Sequence, residues 1–280
     1  MSAARRVWIV GPIAWDTVVY VDRYPTRGRF TQGRTKIERP GGSAGNVAQA
    51  LATAGIETGF VTTVGDDVIG QQLQSTLAAS RIAHLVVNRT PGESSHVLVL
   101  VDDDGERTIL GLSPGTMRHI APRDAPLRAG DIVVFVVWDD HFLTDLDRAR
   151  TRGCTTVVGL GAVDNPAVTA DIAFGSRADL VGEVDPAHHL TRFGRIVVTS
   201  GPEGALQVDG DGELRQSAIP TAVVDTTGAG DAFLAGYLAM YARGFVDGVQ
   251  ALDAGARWAA ATVSHEGSIP PDWSQVDTGP

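Results

Sequence analysis

Short apolar runs alternate along this chain with longer stretches whose apolar residues recur every three or four positions. Residues 7–10 (Val-Trp-Ile-Val) contain no polar group and predict a buried strand; residues 44–54 predict a helix, 59–64 a strand and 70–79 a helix. The order resumes with strand-like runs at residues 132–137, 155–158, 180–181 and 196–199, separated by segments long enough for helices. Strand and helix in alternation predict an α/β fold built on a doubly wound, mostly parallel sheet.

Two stretches break the alternation. Residues 17–38, and residues 96–110 with the turn Asp102-Asp103-Asp104-Gly105, read as strands and hairpins with no helix between them. Paired with each other they would form a small second sheet over the carboxyl edge of the main one, as a lid; unpaired, they are edge strands or surface loops. No repeat, low-complexity tract or long linker interrupts the chain. A single domain, residues 1–280, is therefore expected, with a lid subdomain drawn from about residues 15–40 and 88–112.

Composition narrows the partners. The 280 residues suffice for a sizeable core, and 43% hydrophobic with 20% charged residues is ordinary for a soluble globular enzyme. Lys+Arg 23 against Asp+Glu 33 leave a net charge of −10, which argues against nucleic acid or an anionic membrane as partner. An anionic ligand must then find a local positive site. The single cysteine, Cys154, excludes an intrachain disulfide and a cysteine-built zinc site, and fits a reducing compartment. Arg5-Arg6 before the first apolar run suggests a signal peptide until Gly11, Pro12 and Asp16 cut that run short. The next apolar run, residues 132–138, is far below membrane-spanning length, so a cytoplasmic protein is expected.

Chemistry concentrates at Asp225-Thr226-Thr227-Gly228-Ala229-Gly230-Asp231, between a strand-like run at 222–224 and a helical pattern over 232–241. Gly228 and Gly230 permit a sharp turn and close approach of a ligand, and the first amides of the helix then face an anion. Asp231 would repel a phosphate. Its more economical role is to take a proton from a hydroxyl that attacks phosphorus, a plain helix cap being the alternative. A dinucleotide fingerprint fails here because Phe233 stands where the third glycine belongs, and no Gly-Lys-Ser/Thr occurs anywhere in the chain.

A second glycine turn, Pro40-Gly41-Gly42-Ser43-Ala44-Gly45-Asn46, opens the first predicted helix. It satisfies Gly-x-Ser-x-Gly, with Ser43 as a hydrolase nucleophile, but such an elbow needs a buried strand ahead of it, and residues 34–40 are polar and end in proline. Alternatively Gly41, Gly42 and the Asn46 amide, both donor and acceptor, hold hydroxyls of a sugar or nucleoside. Asp16 follows the first strand on the side where α/β sheets bind ligands, and can take two vicinal hydroxyls or cap a turn. Gly65-Asp66-Asp67 follows the strand at 59–64, with one Asp capping the next helix.

Taken in order, Asp16, Gly41-Gly42 with Asn46, Val64-Gly65-Asp66-Asp67, Gly105-Glu106-Arg107-Thr108, Val197-Val198-Thr199-Ser200-Gly201 and Asp225 to Asp231 resemble the ribokinase-like, PfkB-type carbohydrate kinase family over nearly the whole chain. The resemblance implies a Rossmann-like α/β domain with a β-sheet lid. It implies transfer of the γ-phosphoryl group of ATP to a primary hydroxyl of a small sugar, with an adenosine-like nucleoside as the alternative acceptor. Asp231 is then the base, Gly228, Ala229 and Gly230 the anion hole, and Asp16, Gly41, Gly42 and Asn46 hold the acceptor, with Arg107 in the lid as the best candidate for a positive group near an anionic ligand. Thr199, Gly201, Gly204, Thr226, Gly228, Gly230 and His265 follow the nucleotide. Mg²⁺ is expected with ATP, and relatives often pair into homodimers through the lid. A noncatalytic sugar-binding relative and a serine hydrolase remain as readings from other classes.

The departures from the family pattern matter as much. An Asn-x-x-Glu motif that organises magnesium through water follows the strand here read as residues 178–181; this chain offers Gly182-Glu183-Val184-Asp185, leaving Glu183 and Asp185 without the asparagine. Asp225, Thr227 and Gly267 match a monovalent-cation site, for K⁺, yet Pro271 stands about where some relatives have a serine. Trp138, Asp139 and His141 do not supply the Gln or Glu of the ribokinase pattern, which weakens ribose as acceptor. Trp15, Phe30 and Trp138 could stack on a base.

Overall fold

The computed structural model describes residues 4–103, 106–113, 115–180 and 186–276. Strand β1 (Val7–Val10) lies inside a nine-stranded sheet that also contains β4 (Thr58–Gly65), β5 (His84–Thr90), β8 (Ile132–Phe135), β9 (Thr155–Gly159), β10 (Ala170–Ser176), β11 (Phe193–Thr199), β12 (Ala205–Asp209) and β13 (Gly212–Gln216). The order is β13-β12-β11-β10-β9-β8-β1-β4-β5. Every pairing from β5 to β11 is parallel, and β12 and β13 close one edge antiparallel.

Both faces of the middle of this sheet are covered, which is why its central strands β1, β4 and β8 are buried along their length. Val7 and Ile9 face helices α1 (Ser43–Thr53), α2 (Val68–Ala78), α4 (Ala229–Ala242) and α5 (Val249–Val263). Trp8 and Val10 face the opposite layer, built from α3 (Leu143–Thr151) and short 3-10 turns. From β1 the chain runs to β4 on one side, whereas from β8 it runs to β9 on the other. The carboxyl ends of β1 and β8 therefore flank a crevice where the order reverses. At the opposite end a buried ion pair, Arg6 to Asp131 at 2.6 Å, fixes the start of β1 beside the start of β8.

The stretches without helices form a separate four-stranded sheet, ordered β3-β2-β6-β7, from β2 (Ala14–Tyr20), β3 (Thr35–Gly41), β6 (His96–Val101) and β7 (Arg107–Gly111). β2 and β3 are inserted after β1, and β6 and β7 after β5, so both insertions leave the large sheet at its carboxyl edge. Pro40 sits in β3, an edge strand, where a missing N–H is tolerated. Residues 88–90 belong to β5, paired with β4 as far as Thr90 and Gly65, so the second segment of the small sheet begins at His96.

Three local expectations are corrected. Residue 180, where a strand was expected, is in none, and residue 181 lies outside the described residues; the strand here is Ala170–Ser176, followed by a 3-10 turn at Arg177–Asp179. Its pattern is broken by Asp171, whose carboxylate accepts the Thr156 amide at 2.7 Å and hydroxyl at 2.8 Å from β9. Residues 222–224 form no strand: Val223 and Val224 are exposed, and the Val224 amide bonds to the Val263 carbonyl at the end of α5 at 2.7 Å. Helix α2 starts before residue 70 because Asp67 caps it, accepting the Gly70 amide at 2.7 Å. No helix among the described residues is long and apolar enough to cross a membrane.

Helices α4 and α5 approach closely through glycine. A Cβ on Gly236 would stand 2.7 Å from the Ala254 carbonyl, and one on Gly255 would stand 2.8 Å from Phe233. Gly236→Leu should force the helices apart and lower stability by about 1–3 kcal/mol in urea denaturation; an unchanged midpoint would contradict this packing.

Candidate active site

Two cavities at the carboxyl edge meet at the amino end of α4. The first, of about 790 Å³, lies under the small sheet and reaches Asp16, Asn46, Trp138 and Asp231. The second, of about 660 Å³, runs from Thr199 and Thr226 along Ile219, Pro220 and Val223 to α5. Arg107, Ser176, Thr199 and Gly230 line both.

The turn before α4 separates them. Asp225 is fully buried, and its carboxylate accepts the Thr227 amide at 2.8 Å and the Gly267 amide at 3.1 Å. Gly228 follows with φ 80°, and a Cβ there would stand 2.0 Å from the Ser268 carbonyl, so both backbone angle and space demand glycine. Gly230 differs. A Cβ there would meet no protein atom within 4 Å, so the room it leaves belongs to the cavities. The amides of this first turn have no intrahelical acceptor and lie at the positive end of the helix dipole, an arrangement that suits an anion.

Asp231 is half-buried in that same turn. Asn46, on α1, donates Nδ2–H to its Oδ2 at 2.8 Å. Burial pushes the Asp231 carboxyl above the usual range, while hydrogen bonds from Asn46 and Ser43 and the Arg107 charge pull it back in part. Ser43 thus serves Asp231. Among the described residues no histidine is hydrogen-bonded to Ser43, and the strand before it is the polar edge strand β3, so the hydrolase arrangement is not formed.

Asp16, on β2, is 5% exposed. Burial raises its carboxyl to about 6, with the Arg39 charge opposing, Asp231 reinforcing and the nearby Ser268 hydroxyl opposing. Gly41 makes this placement feasible, because a Cβ on it would stand 2.0 Å from Asp16 Oδ2. Asp16 Oδ1, Asn46 Oδ1, Thr227 Oγ1 and Ser268 Oγ are all buried without a hydrogen-bond partner, and all four residues line the first cavity. Such a set of unsatisfied polar atoms suits a polyhydroxylated ligand. Beyond it the wall is apolar, formed by Val97, Ile109, Val137, Trp138 and Leu160.

On the other side, Thr199 ends β11, and Gly201 and Gly204 turn the chain with φ 55° and 92° beside the second cavity. Arg107 reaches from β7 to donate to Thr226 Oγ1 at 2.9 Å, which joins the small sheet to the turn. His265 is exposed, stands 3.3 Å from Ser264 Oγ and lines neither cavity. Asp139 and His141 bond to each other at 2.8 Å and also line neither, and Trp15 and Phe30 lie outside both.

Glu183 and Asp185 lie outside the described residues. Ser176 and Asp179 were not singled out in the sequence, yet both line the first cavity, and Asp179 accepts the Ser176 amide at 3.1 Å. A Ser-x-x-Asp pair at the carboxyl end of β10 was the available signal, hidden by placing that strand too late. No group of three or more metal-binding side chains occurs among the described residues.

The fold and this site agree with what the chain is similar to. It belongs to the pfkB family of carbohydrate kinases, whose profile matches residues 5–137 and 172–275. It is therefore an enzyme, a phosphotransferase of the sugar-kinase class that uses ATP. It is 28% identical over 251 residues to an ATP-dependent ribose-1-phosphate kinase of Halopiger xanaduensis, covering 84% of each chain. It is 30% identical to the fructoselysine 6-kinase of Escherichia coli, covering 81% of this chain and 91% of that one. Its fold matches that of a Burkholderia thailandensis nucleoside kinase solved with inosine, with a TM-score of 0.80 at 20% identity over 98% of this chain and 95% of the other.

The raised carboxyl of Asp16 gives a pH dependence. Bound hydroxyls favour the ionised form, so acceptor affinity should fall as pH drops through about 6, and Asp16→Asn should remove the inflection. The ligand-free protein has the opposite sign. Its folded-state value lies above the ordinary 3.8, so proton uptake at Asp16 contributes stability as pH falls from about 6 toward that value. Acceptor KM measured across this range checks the first statement; a flat profile contradicts it.

Proposed function

We propose that this protein transfers the γ-phosphoryl group of ATP to the hydroxymethyl group of a small sugar. The observation that carries the reading is Asp231, a half-buried carboxylate held by Asn46 at 2.8 Å, beside Gly230, which lines both cavities. Sugar hydroxyls on the first cavity's floor satisfy the orphan atoms of Asp16, Asn46, Thr227 and Ser268, leaving the hydroxymethyl oxygen to face Asp231. The raised carboxyl makes Asp231 a better base near neutral pH than an ordinary aspartate. It takes the hydroxyl proton as the oxygen attacks phosphorus, while the turn amides of Gly228, Ala229 and Gly230 hold the equatorial oxygens and Arg107 adds positive charge. The base contributes roughly 10² to 10⁴-fold, and each well-aimed donor about 10² to 10³.

ATP occupies the second cavity, its phosphates near Thr199, Thr226 and Gly230 and its base along Ile219, Pro220 and Val223, with Gly201 and Gly204 shaping the adjoining turn. Ser176, which lines both cavities, and Asp179, which lines the first, would meet Mg²⁺ where the two cavities join: a lone carboxylate beside phosphates suits an ion that keeps most of its waters, and the bound ion would neutralise phosphate charge. Closure of the small sheet, carrying Asp16 and Arg107, excludes water that would otherwise hydrolyse ATP. A cytoplasmic setting suits the free Cys154, and pairing of two copies through the small sheet would follow the habit of relatives.

A nucleoside acceptor is the second reading. The apolar wall of Val97, Ile109, Val137, Trp138 and Leu160 favours it, because a lone small sugar leaves that wall uncovered. A screen of ADP formation across pentoses, hexoses, deoxy sugars, sugar phosphates and nucleosides separates the two. Asp231→Asn should lower kcat by roughly 10² to 10⁴-fold with little change in acceptor binding; near-normal turnover in a folded variant sinks the base assignment.

A further inference from the structure

The turn from Asp225 and the segment following α5 are where the family resemblance implies a monovalent cation, and the residues of this chain do not fit one. Both oxygens of the buried Asp225 carboxylate already accept backbone amides, from Thr227 at 2.8 Å and Gly267 at 3.1 Å. Pro271 brings no side-chain oxygen, and its carbonyl is taken by the Trp258 indole N–H at 2.9 Å.

A guanidinium stands there instead. Arg39 leaves β3 opposite Asp16 in the strand register, and its Nη1 lies 3.0 Å from the position a Cβ of Gly267 would take. Its Nε and Nη2 are buried and have no hydrogen-bond partner. Tyr20, on the same face of β2, feels the same neighbours: burial raises its phenol first, Asp225 and Glu266 raise it further, and Arg39 lowers it. Arg107, the other arginine on this face, is engaged with Thr226. Arg39 is thus a positive charge with unsatisfied N–H groups beside a buried acidic turn, and it also faces the Asp16 carboxylate.

We propose that Arg39 is the resident cation of this turn, supplying the positive charge that potassium would otherwise bring, and that the protein is consequently indifferent to monovalent cations. A guanidinium is permanently charged and weakly hydrated, so it tolerates a half-buried position where an ammonium would lose more solvation. Because β3 belongs to the small sheet, this charge arrives at the anion-binding turn together with Asp16.

The test compares potassium chloride with tetramethylammonium chloride at equal ionic strength. The ligand-free wild-type protein should melt at the same temperature in both, and with MgATP and an accepted sugar or nucleoside its rate should agree within about a factor of two. Arg39→Met should melt lower, recover part of the loss in potassium only, and show a potassium-stimulated rate; Arg39→Lys should remain largely indifferent. A wild-type melting point raised by several degrees in potassium, or a wild-type rate raised several-fold, overturns the proposal, as does an Arg39→Met variant that keeps full rate in both salts. Should Arg39→Met fail to fold, the wild-type and Arg39→Lys comparisons decide. The kinetic arm rests on the kinase reading above, whereas the melting arm needs no substrate, so a failure of one is distinguishable from a failure of the other.

Discussion

A buried carboxylate, that of Asp225, ties together the two backbone segments from which the site is built. It holds the Thr227 and Gly267 amides at once, and charge-assisted bonds of this kind offset the desolvation of a carboxylate that has lost its water. Gly267 in turn fixes Ser268, whose carbonyl lies so near Gly228 that only glycine fits. Gly228 sets the direction in which α4 begins, and with it the room at Gly230 and the position of Asp231. The close glycine contacts between α4 and α5 keep that direction from drifting.

The other half of the site comes from the large sheet's carboxyl edge. Insertion of β2 and β3 after β1 brings Asp16 and Gly41 over the crevice, and α1 then presents Asn46 to Asp231. Asp16 and Asp231 interact unfavourably across the cavity, and burial disfavours both charges. Hydroxyl donors of a bound ligand would offset part of this cost, because they would give a partner to Asp16 Oδ1, which has none. Arg39 and Arg107, one on each edge strand of the small sheet, place positive charge around a chain that is acidic overall. Specificity for an anionic donor therefore comes from local geometry rather than from net charge.

Much of this was legible in the chain. Unbroken apolar runs gave the central strands because both their faces are covered, and the lack of helices around residues 17–38 and 96–110 marked the small sheet. β10 was misplaced because Asp171 interrupts its pattern to serve Thr156, a contact between strands that local periodicity does not carry. That error hid Ser176 and Asp179. Residues 222–224 look like a strand, but their amide partner is the end of a helix. Asp231 and Gly228 stood out because they share a glycine turn, Asn46 because it closely follows one, and Asp16 because it comes shortly after the first apolar run. His265 was expected beside the nucleotide and faces solvent instead, and Asp139 and His141 are occupied with each other. Ser268 and Arg39 left no signal, since what each lies against depends on segments far apart in sequence.

The central claim is that the turn from Asp225 to Asp231 directs phosphate to an acceptor's hydroxymethyl oxygen. Phosphorus NMR of a single turnover tests it most directly, using an accepted substrate alongside the same molecule lacking that hydroxyl. The account predicts ADP and a phosphomonoester in equal amounts from the first, and with the deoxy analogue neither phosphomonoester nor appreciable free phosphate. Phosphate transfer to another hydroxyl of the analogue, or ADP and free phosphate formed as fast with it as with the substrate, would contradict the account.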